Sequence, residues 1–238
     1  MERLDKILSA TGKWSRREVK ELLRQGRVTV DGSRPTGPEM KIDPEQCEIL
    51  VDGASAGYEA YTYLMLHKPA GVLSAVEDRK QKTVLDLLPR ELQRRGLFPV
   101  GRLDKDTEGL LLLTNDGDLA HRLLSPRHHV DKVYYARVDG RLEAEDCRAF
   151  AAGLTLADGL VCLPARLEIL SDCEALVTVQ EGKFHQVKRM LAQRGKPVLY
   201  LKRLAMGPLR LDDDLPPGAF RRLTDSERQQ LQSMEKTI

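Results

Sequence analysis

The sequence predicts an α+β fold in two parts, a small N-terminal unit that mixes helices and strands and a larger unit built on a largely antiparallel sheet. Three observations lead there. Strand-like runs dominate the longer part, with helical segments scattered among them at irregular intervals. Neither a βαβ repeat nor a Gly-x-Gly-x-x-Gly turn occurs, which argues against a doubly wound nucleotide fold. Between the two patterned regions, Ala54-Ser55-Ala56-Gly57 has no periodicity and no large apolar residue, as expected of a linker. We therefore divide the chain into an N-terminal domain, 1–53, a linker, 54–59, and a C-terminal domain, 60–238.

In the first part, Leu4, Ile7 and Leu8 recur at helical spacing and Gly12 breaks the pattern. Ser15 stands where it can cap a second helix carrying Val19, Leu22 and Leu23, which Gly26 stops. The alternation Arg27-Val28-Thr29-Val30, followed by Asp31-Gly32, reads as a strand and turn, with Glu48-Ile49-Leu50-Val51 as a partner strand. On the second helix, Arg16, Arg17, Lys20 and Arg24 form a basic stripe opposite the apolar face, suited to backbone phosphates. Glu18 and Glu21 offer local ion pairs on the same helix, which is the pattern of a plain solvent-facing surface. The whole arrangement resembles an S4-type RNA-binding domain.

In the second part, strands are expected at Tyr61–Leu66, Leu110–Leu113, Val133–Val138, Ala165–Leu170, Leu176–Gln180 and Val198–Lys202. Helices are expected at Leu119–Leu124, Glu143–Ala152, Gln186–Arg194 and Asp225–Met234. The glycine-bounded run from Gly101 to Gly109 reads as a charged turn leading into the apolar strand at Leu110, a rigid place to mount a carboxylate.

Composition narrows the function. With 41% hydrophobic and 31% charged residues, the chain has the balance of a soluble globular protein. No apolar run approaches the roughly 20 residues of a membrane span. The chain starts with Glu2, Arg3 and Asp5 rather than an apolar signal core, so a cytoplasmic location is expected. Four cysteines, Cys47, Cys147, Cys162 and Cys173, lie far apart without a Cys-x-x-Cys pair and are read as reduced thiols in or near cores. Net charge is only +2, but the distribution is uneven. Residues 1–34 carry nine Lys or Arg against five Asp or Glu, and residues 183–210 carry eight bases and no acid, which points to a polyanionic partner.

Motifs specify that partner. Gly101-Arg102-Leu103-Asp104 is followed by Thr114-Asn115-Asp116-Gly117-Asp118, Ser125-Pro126-Arg127-His128-His129, Lys132-Val133-Tyr134 and Glu181-Gly182-Lys183-Phe184-His185-Gln186-Val187-Lys188-Arg189-Met190. In this order and spacing the blocks resemble the pseudouridine synthases, and within them the ribosomal small-subunit pseudouridine synthase A type, over about residues 2–230. The resemblance implies a mixed, largely antiparallel central sheet with an active-site cleft. It also implies isomerisation of uridine to pseudouridine in small-subunit ribosomal RNA, either free or in an assembly intermediate. The alternatives are a large-subunit RNA target, or a ribosome-assembly factor that binds RNA without turnover. Intact Asp104, Tyr134 and Lys188 argue against the last. The chain is expected to act as a monomer.

This isomerisation breaks the bond between uracil N1 and ribose C1′, turns the base and joins C1′ to C5, with no net gain or loss of atoms. No cofactor or metal is therefore expected; adjacent His128 and His129 would point different ways on regular structure and make a poor metal pair. By the resemblance, Asp104 is the essential carboxylate, Lys188 its basic partner, and Tyr134 the ring that packs on the flipped-out base. A carboxylate that must be charged in a partly dry pocket needs an opposite charge nearby, and lysine supplies one without arginine's bidentate geometry. Tyr135 should face away from Tyr134 if both lie on a strand. Arg102, Arg127, His128, Lys183, His185, Gln186 and Arg189 are assigned to RNA contact, and Asp106 and Glu108 to stabilising the loop. Paired carboxylates could instead indicate glycoside hydrolysis, but 5% aromatic residues and the single Trp14 weigh against it.

Overall fold

Leu4, Ile7 and Leu8 are fully buried on one side of the first helix, and Val19, Leu22 and Leu23 meet them from the second. In a computed structural model, which describes residues 1–234, these helices belong to one of two compact units, Met1–Thr62 with Leu88–Leu97. That unit holds β1 (Glu2–Arg3), α1 (Leu4–Ala10), α2 (Arg16–Arg24), β2 (Val28–Val30), β3 (Lys41–Ile42), β4 (Ile49–Val51), β5 (Ala54–Ser55) and α3 (Arg90–Gln93). Ser15 caps α2 as expected: its Oγ accepts from Glu18 N at 3.3 Å while Ser15 N donates to the Glu18 carboxylate at 2.6 Å.

Ala54 and Ser55 read as linker in the sequence, but they form β5 on the edge of the β2-β4-β5 sheet, and Ala56 is buried in the same core. Small side chains without periodicity hide an edge strand whose stabilisation is in its backbone pairing. Arg95, 6% exposed, ties α3 into this unit by donating to Thr11 O at 2.9 Å, Thr62 Oγ1 at 2.5 Å and Glu59 Oε2 at 2.9 Å. Gly12 does more than break a helix. A Cβ there would lie 2.0 Å from Glu91 O, so only glycine admits this approach.

The second unit, Tyr63–Leu87 with Phe98 onward, is a mixed sheet with helices. Its strands are β6 (Tyr63–Lys68), β7 (Phe98–Pro99), β8 (Glu108–Thr114), β9 (Lys132–Val138), β10 (Arg166–Ser171), β11 (Glu174–Val179), β12 (Val198–Met206), β13 (Leu209–Arg210) and β14 (Phe220–Arg222). Its helices are α4 (Gly117–Leu124), α5 (Ala144–Ala152), α6 (Gln186–Gln193) and α7 (Asp225–Ser233). The strand order is β10-β11-β9-β12-β8-β6-β14, with β13 on β12 and β7 on β8. Among the described residues, β8 and β12 run parallel and every other pair of strands is antiparallel. Leu110 to Leu113 of β8 are each fully buried, as a strand covered on both faces requires.

Gly109 reads in the sequence as the end of a turn, yet it lies inside β8, opposite Arg203 of β12. A Cβ at Gly109 would stand 2.2 Å from Arg203 O, so the two parallel strands close only over a glycine. Pairing then runs in one row across the sheet: Lys68, Gly109, Arg203, Tyr134, Val177. The neighbouring row, Glu108, Lys202, Tyr135 and Leu176, belongs to the other face. Cys47 and Cys147 are half-buried and Cys162 is buried, whereas Cys173 is exposed, because it sits in the tight turn between β10 and β11. No helix among the described residues is long and apolar enough to cross a membrane.

Candidate active site

The loop that carries Asp104 leads directly into central strand β8, and it is fastened from beneath. Lys68, at the end of β6, has no exposed surface and its Nζ donates to Pro69 O at 3.0 Å, Lys105 O at 3.2 Å and Thr107 O at 2.8 Å. Burial pulls this ammonium down to about 8 from its ordinary 10.5, against the attraction of Asp106, Asp104 and Glu108. Ser74 adds a two-way clamp: its Oγ donates to Leu103 O at 2.9 Å and accepts from Leu103 N at 3.0 Å. Gly71 N donates to Lys105 O at 2.7 Å, and Thr107 N to Asp104 O at 3.1 Å. The backbone on both sides of Asp104 is therefore held by groups from β6 and the segment after it.

Facing this loop is the start of α6. Gln186 is buried, its Nε2 donating to Glu181 Oε1 at 2.7 Å while its Oε1 accepts from Lys183 N at 3.1 Å. Glu181 also accepts from Leu163 N at 2.9 Å and pairs with Lys183 Nζ at 2.9 Å. His185 precedes the helix in a left-handed conformation, φ +50°, unusual for a residue with a side chain and a form of local strain that concentrates at functional sites. The turn so formed aims His185 Nε2 at Asp104 Oδ1, 3.4 Å away, and Lys188 Nζ at Asp104 Oδ2, 3.2 Å away.

Lys188 is shared. Its Nζ makes a shorter contact with Asp106 Oδ1, a 2.6 Å hydrogen bond that holds the Asp106 carboxyl below the usual carboxylate range. Asp106, expected only to stabilise its own loop, instead crosses to α6 and competes with Asp104 for the same ammonium. The loop's short reach brings both acids to one side, because only Lys105 separates them. Glu108 behaves differently, accepting from Tyr200 at 2.7 Å on the opposite face; burial and Glu108 together push the Tyr200 hydroxyl up to about 12.

One cleft is lined by Arg102, Asp104, Thr107, Tyr134, Lys183, His185, Gln186 and Lys188, with Leu103, Val179, Val187 and Leu201 as its apolar wall. Tyr134, 9% exposed, reaches it from β9, while the Tyr135 hydroxyl on the other face donates to Glu174 Oε1 at 2.6 Å. Seven of the residues singled out in sequence thus meet at one cleft, Gln186 as an internal brace whose amide is engaged on both sides. Arg189 turns aside to Asp158 at 2.6 Å. Arg127 and His128 line a separate cleft floored by Leu119, Leu123, Val130 and Leu231. Arg16, Arg17, Lys20 and Arg24 are exposed on α2 of the other unit, Arg24 bound to Glu21 at 2.6 Å. Lys68, Ser74 and Glu181 escape a reading of the sequence. The available signal is Lys68 itself, which continues the face of Leu64 and Leu66 and so puts an amine at an inward position.

Comparison with known proteins agrees with this architecture. Residues 62–193 match the RNA pseudouridylate synthase family and residues 2–46 the S4 domain family. An uncharacterised RNA pseudouridine synthase of Bacillus subtilis is 46% identical over 229 residues, covering 94% of this chain and 96% of that protein. The ribosomal small subunit pseudouridine synthase A of Pseudomonas aeruginosa is 42% identical over 228 residues, covering 94% and 98%. A crystal structure of a pseudouridylate synthase, 35% identical, superposes with a TM-score of 0.69 over 97% of this chain and all of that one.

Proposed function

The chain belongs to the RNA pseudouridylate synthase family, and on that premise we propose that it converts a uridine of small-subunit ribosomal RNA to pseudouridine in the cytoplasm, with Asp104 as the essential carboxylate. The observation that carries this reading is the convergence of Asp104, Lys188, His185 and Tyr134 on one cleft from three separate parts of the chain. The choice of RNA rests on relatives at about 40% identity, over nearly their full length, that are named for the small subunit.

The chemistry follows from what stands in the cleft. A uridine must leave its helix before a protein side chain reaches C1′, and the half-apolar wall of Tyr134, Val179, Val187 and Leu201 offers the extruded base a surface that offsets part of the lost stacking. Asp104 then meets the nucleoside with one oxygen facing the Lys188 ammonium and the other His185. It acts on the ribose or the uracil ring to release N1 from C1′. The freed base turns, C5 bonds to C1′, the C5 proton is lost, and N1 finishes as N–H. Lys68 and Ser74 keep the carboxylate's backbone from drifting, which matters because small misplacements of a reacting group are costly. Arg102 and Lys183 at the rim, and the α2 stripe of the S4 unit, supply phosphate contacts.

The test uses the proton that leaves C5. Small-subunit ribosomal RNA transcribed with uridine tritiated at C5 should release tritium in proportion to pseudouridine formed when the protein is added. Mapping should find the same position modified in cells that carry the protein and unmodified in cells that lack it. Tritium release from large-subunit RNA alone would assign the other subunit, and no release from either would refute the reading.

A further inference from the structure

Phe184 is 69% exposed and stands in the chain between Lys183 and His185, both of which line the Asp104 cleft; among the described residues it and Tyr61 are the exposed Phe, Tyr or Trp rings. A lone exposed apolar residue is ordinary. This one is not loose: its ring lies on that of His185, with centroids 3.8 Å apart and planes within 20°. His185 is in turn fixed by its left-handed backbone and by the 3.4 Å approach of Nε2 to Asp104. Two stacked rings therefore lead from the carboxylate outwards, and the outer one is offered largely to solvent. Basic side chains of Arg102, Lys183 and Lys188 border the same cleft, so a polyanion held there brings its bases to the exposed ring.

We propose that Phe184 is a stacking platform for a nucleobase that flanks the target uridine, a binding residue that holds the RNA strand in register while the uridine enters the cleft. The proposal rests on the functional reading above. Stacking on an aromatic side chain is indifferent to base identity and is lost on truncation, so the platform contributes affinity and positioning without choosing the sequence. The inner face of the ring, covered by His185, keeps it oriented before RNA arrives and lowers the ordering cost of binding.

The test compares Phe184→Ala, Phe184→Leu, Phe184→Tyr and Phe184→Trp, using small-subunit ribosomal RNA transcript as the probe for both binding and tritium release. Because the ring is exposed, all four variants should fold, which thermal melting checks. Ala and Leu should raise KM and weaken transcript binding by about tenfold, within a range of roughly five- to a hundredfold, with kcat within about twofold of the parent. Tyr and Trp should restore both. Unchanged KM and binding in Phe184→Ala would overturn the proposal, as would a Leu variant as good as Tyr, which would mean apolar packing rather than stacking. A fall in kcat alone would also overturn it, since the ring would then act through His185 on Asp104. Wild-type protein that releases no tritium would refute the functional reading instead, and transcript binding by the same variants would still decide the stacking claim.

Discussion

Lys68 shows how much of the site depends on one side chain that takes no part in the chemistry. Its ammonium answers three backbone carbonyls at the foot of the Asp104 loop, from a side chain with no exposed surface, and the bond to Thr107 O is itself buried. Replacing it with methionine keeps the length but removes the lysine's bonds to Pro69 O and Thr107 O, while Lys105 O keeps Gly71 N; the loss is about 1–3 kcal/mol for each group left truly dry. Lys68→Met should lower the melting temperature by several degrees and cut turnover at least tenfold, measured by thermal melting and tritium release. The pH dependence has a definite sign. Folded Lys68 titrates near 8 and the unfolded residue near 10.5, so burial disfavours the folded state below pH 8 and that penalty lifts between 8 and 10.5. An alkaline fall in turnover centred near pH 8 should therefore occur without unfolding, as the loop loses a donor rather than the protein its fold. At this scale the sequence is legible where residues carry a motif, as at Asp104, Tyr134 and Lys188. It is opaque where the role is set by partners far along the chain, as at Lys68: strand alternation with Leu64 and Leu66 puts Lys68 inward, but does not give the Lys105 and Thr107 carbonyls it binds.

Strand alternation explains the division between the two tyrosines of β9. Tyr134 shares a row with Gly109 and Arg203 and lines the cleft, while Tyr135 shares one with Lys202 and Glu108 and bonds Glu174. Tyr134→Ala should reduce turnover far more than Tyr134→Phe if ring packing on the base dominates, and Tyr135→Phe should cost little activity. Equal sensitivity at the two positions would contradict the assignment of faces. Periodicity of two and of 3.6 makes most strands and helices of this unit readable in sequence. What it cannot give is the parallel pairing of β8 with β12, whose partners are some ninety residues apart and whose closeness is visible only in the glycine that permits it. The edge strand β5 stays hidden for a related reason, since Ala54 and Ser55 have no side-chain pattern to read.

The whole chain passes between its two units at Thr62–Tyr63, Leu87–Leu88 and Leu97–Phe98, so the N-terminal unit is not a simple appendage of residues 1–53. Deleting that region would strip Arg95 of its bond to Thr11 and open Gly12's contact with Glu91, confusing RNA affinity with folding. Exposed charges make a cleaner test. Replacing Arg16, Arg17 and Lys20 together with glutamine should weaken ribosomal RNA binding, with the melting temperature nearly unchanged. The salt dependence of binding should flatten by roughly 0.7–0.9 in log–log slope for each phosphate that the protein no longer neutralises. An unaltered slope would remove the stripe from the RNA interface. Charge distribution makes the exposed basic stripe of α2 readable from sequence, although net charge alone hides it.

The central claim is that the Asp104 carboxylate performs the isomerisation, and Asp104→Asn tests it most directly because the side chain keeps its size and loses its charge and nucleophilic oxygen. The measurement is single-turnover tritium release from small-subunit ribosomal RNA, alongside RNA affinity and thermal melting of the same preparation. Affinity and melting should stay near those of the parent while release falls by about a thousandfold or more, and Asp106→Asn, which leaves Lys188 to Asp104, should stay within about tenfold. An Asp104→Asn protein that formed pseudouridine at close to the parental rate would contradict the account.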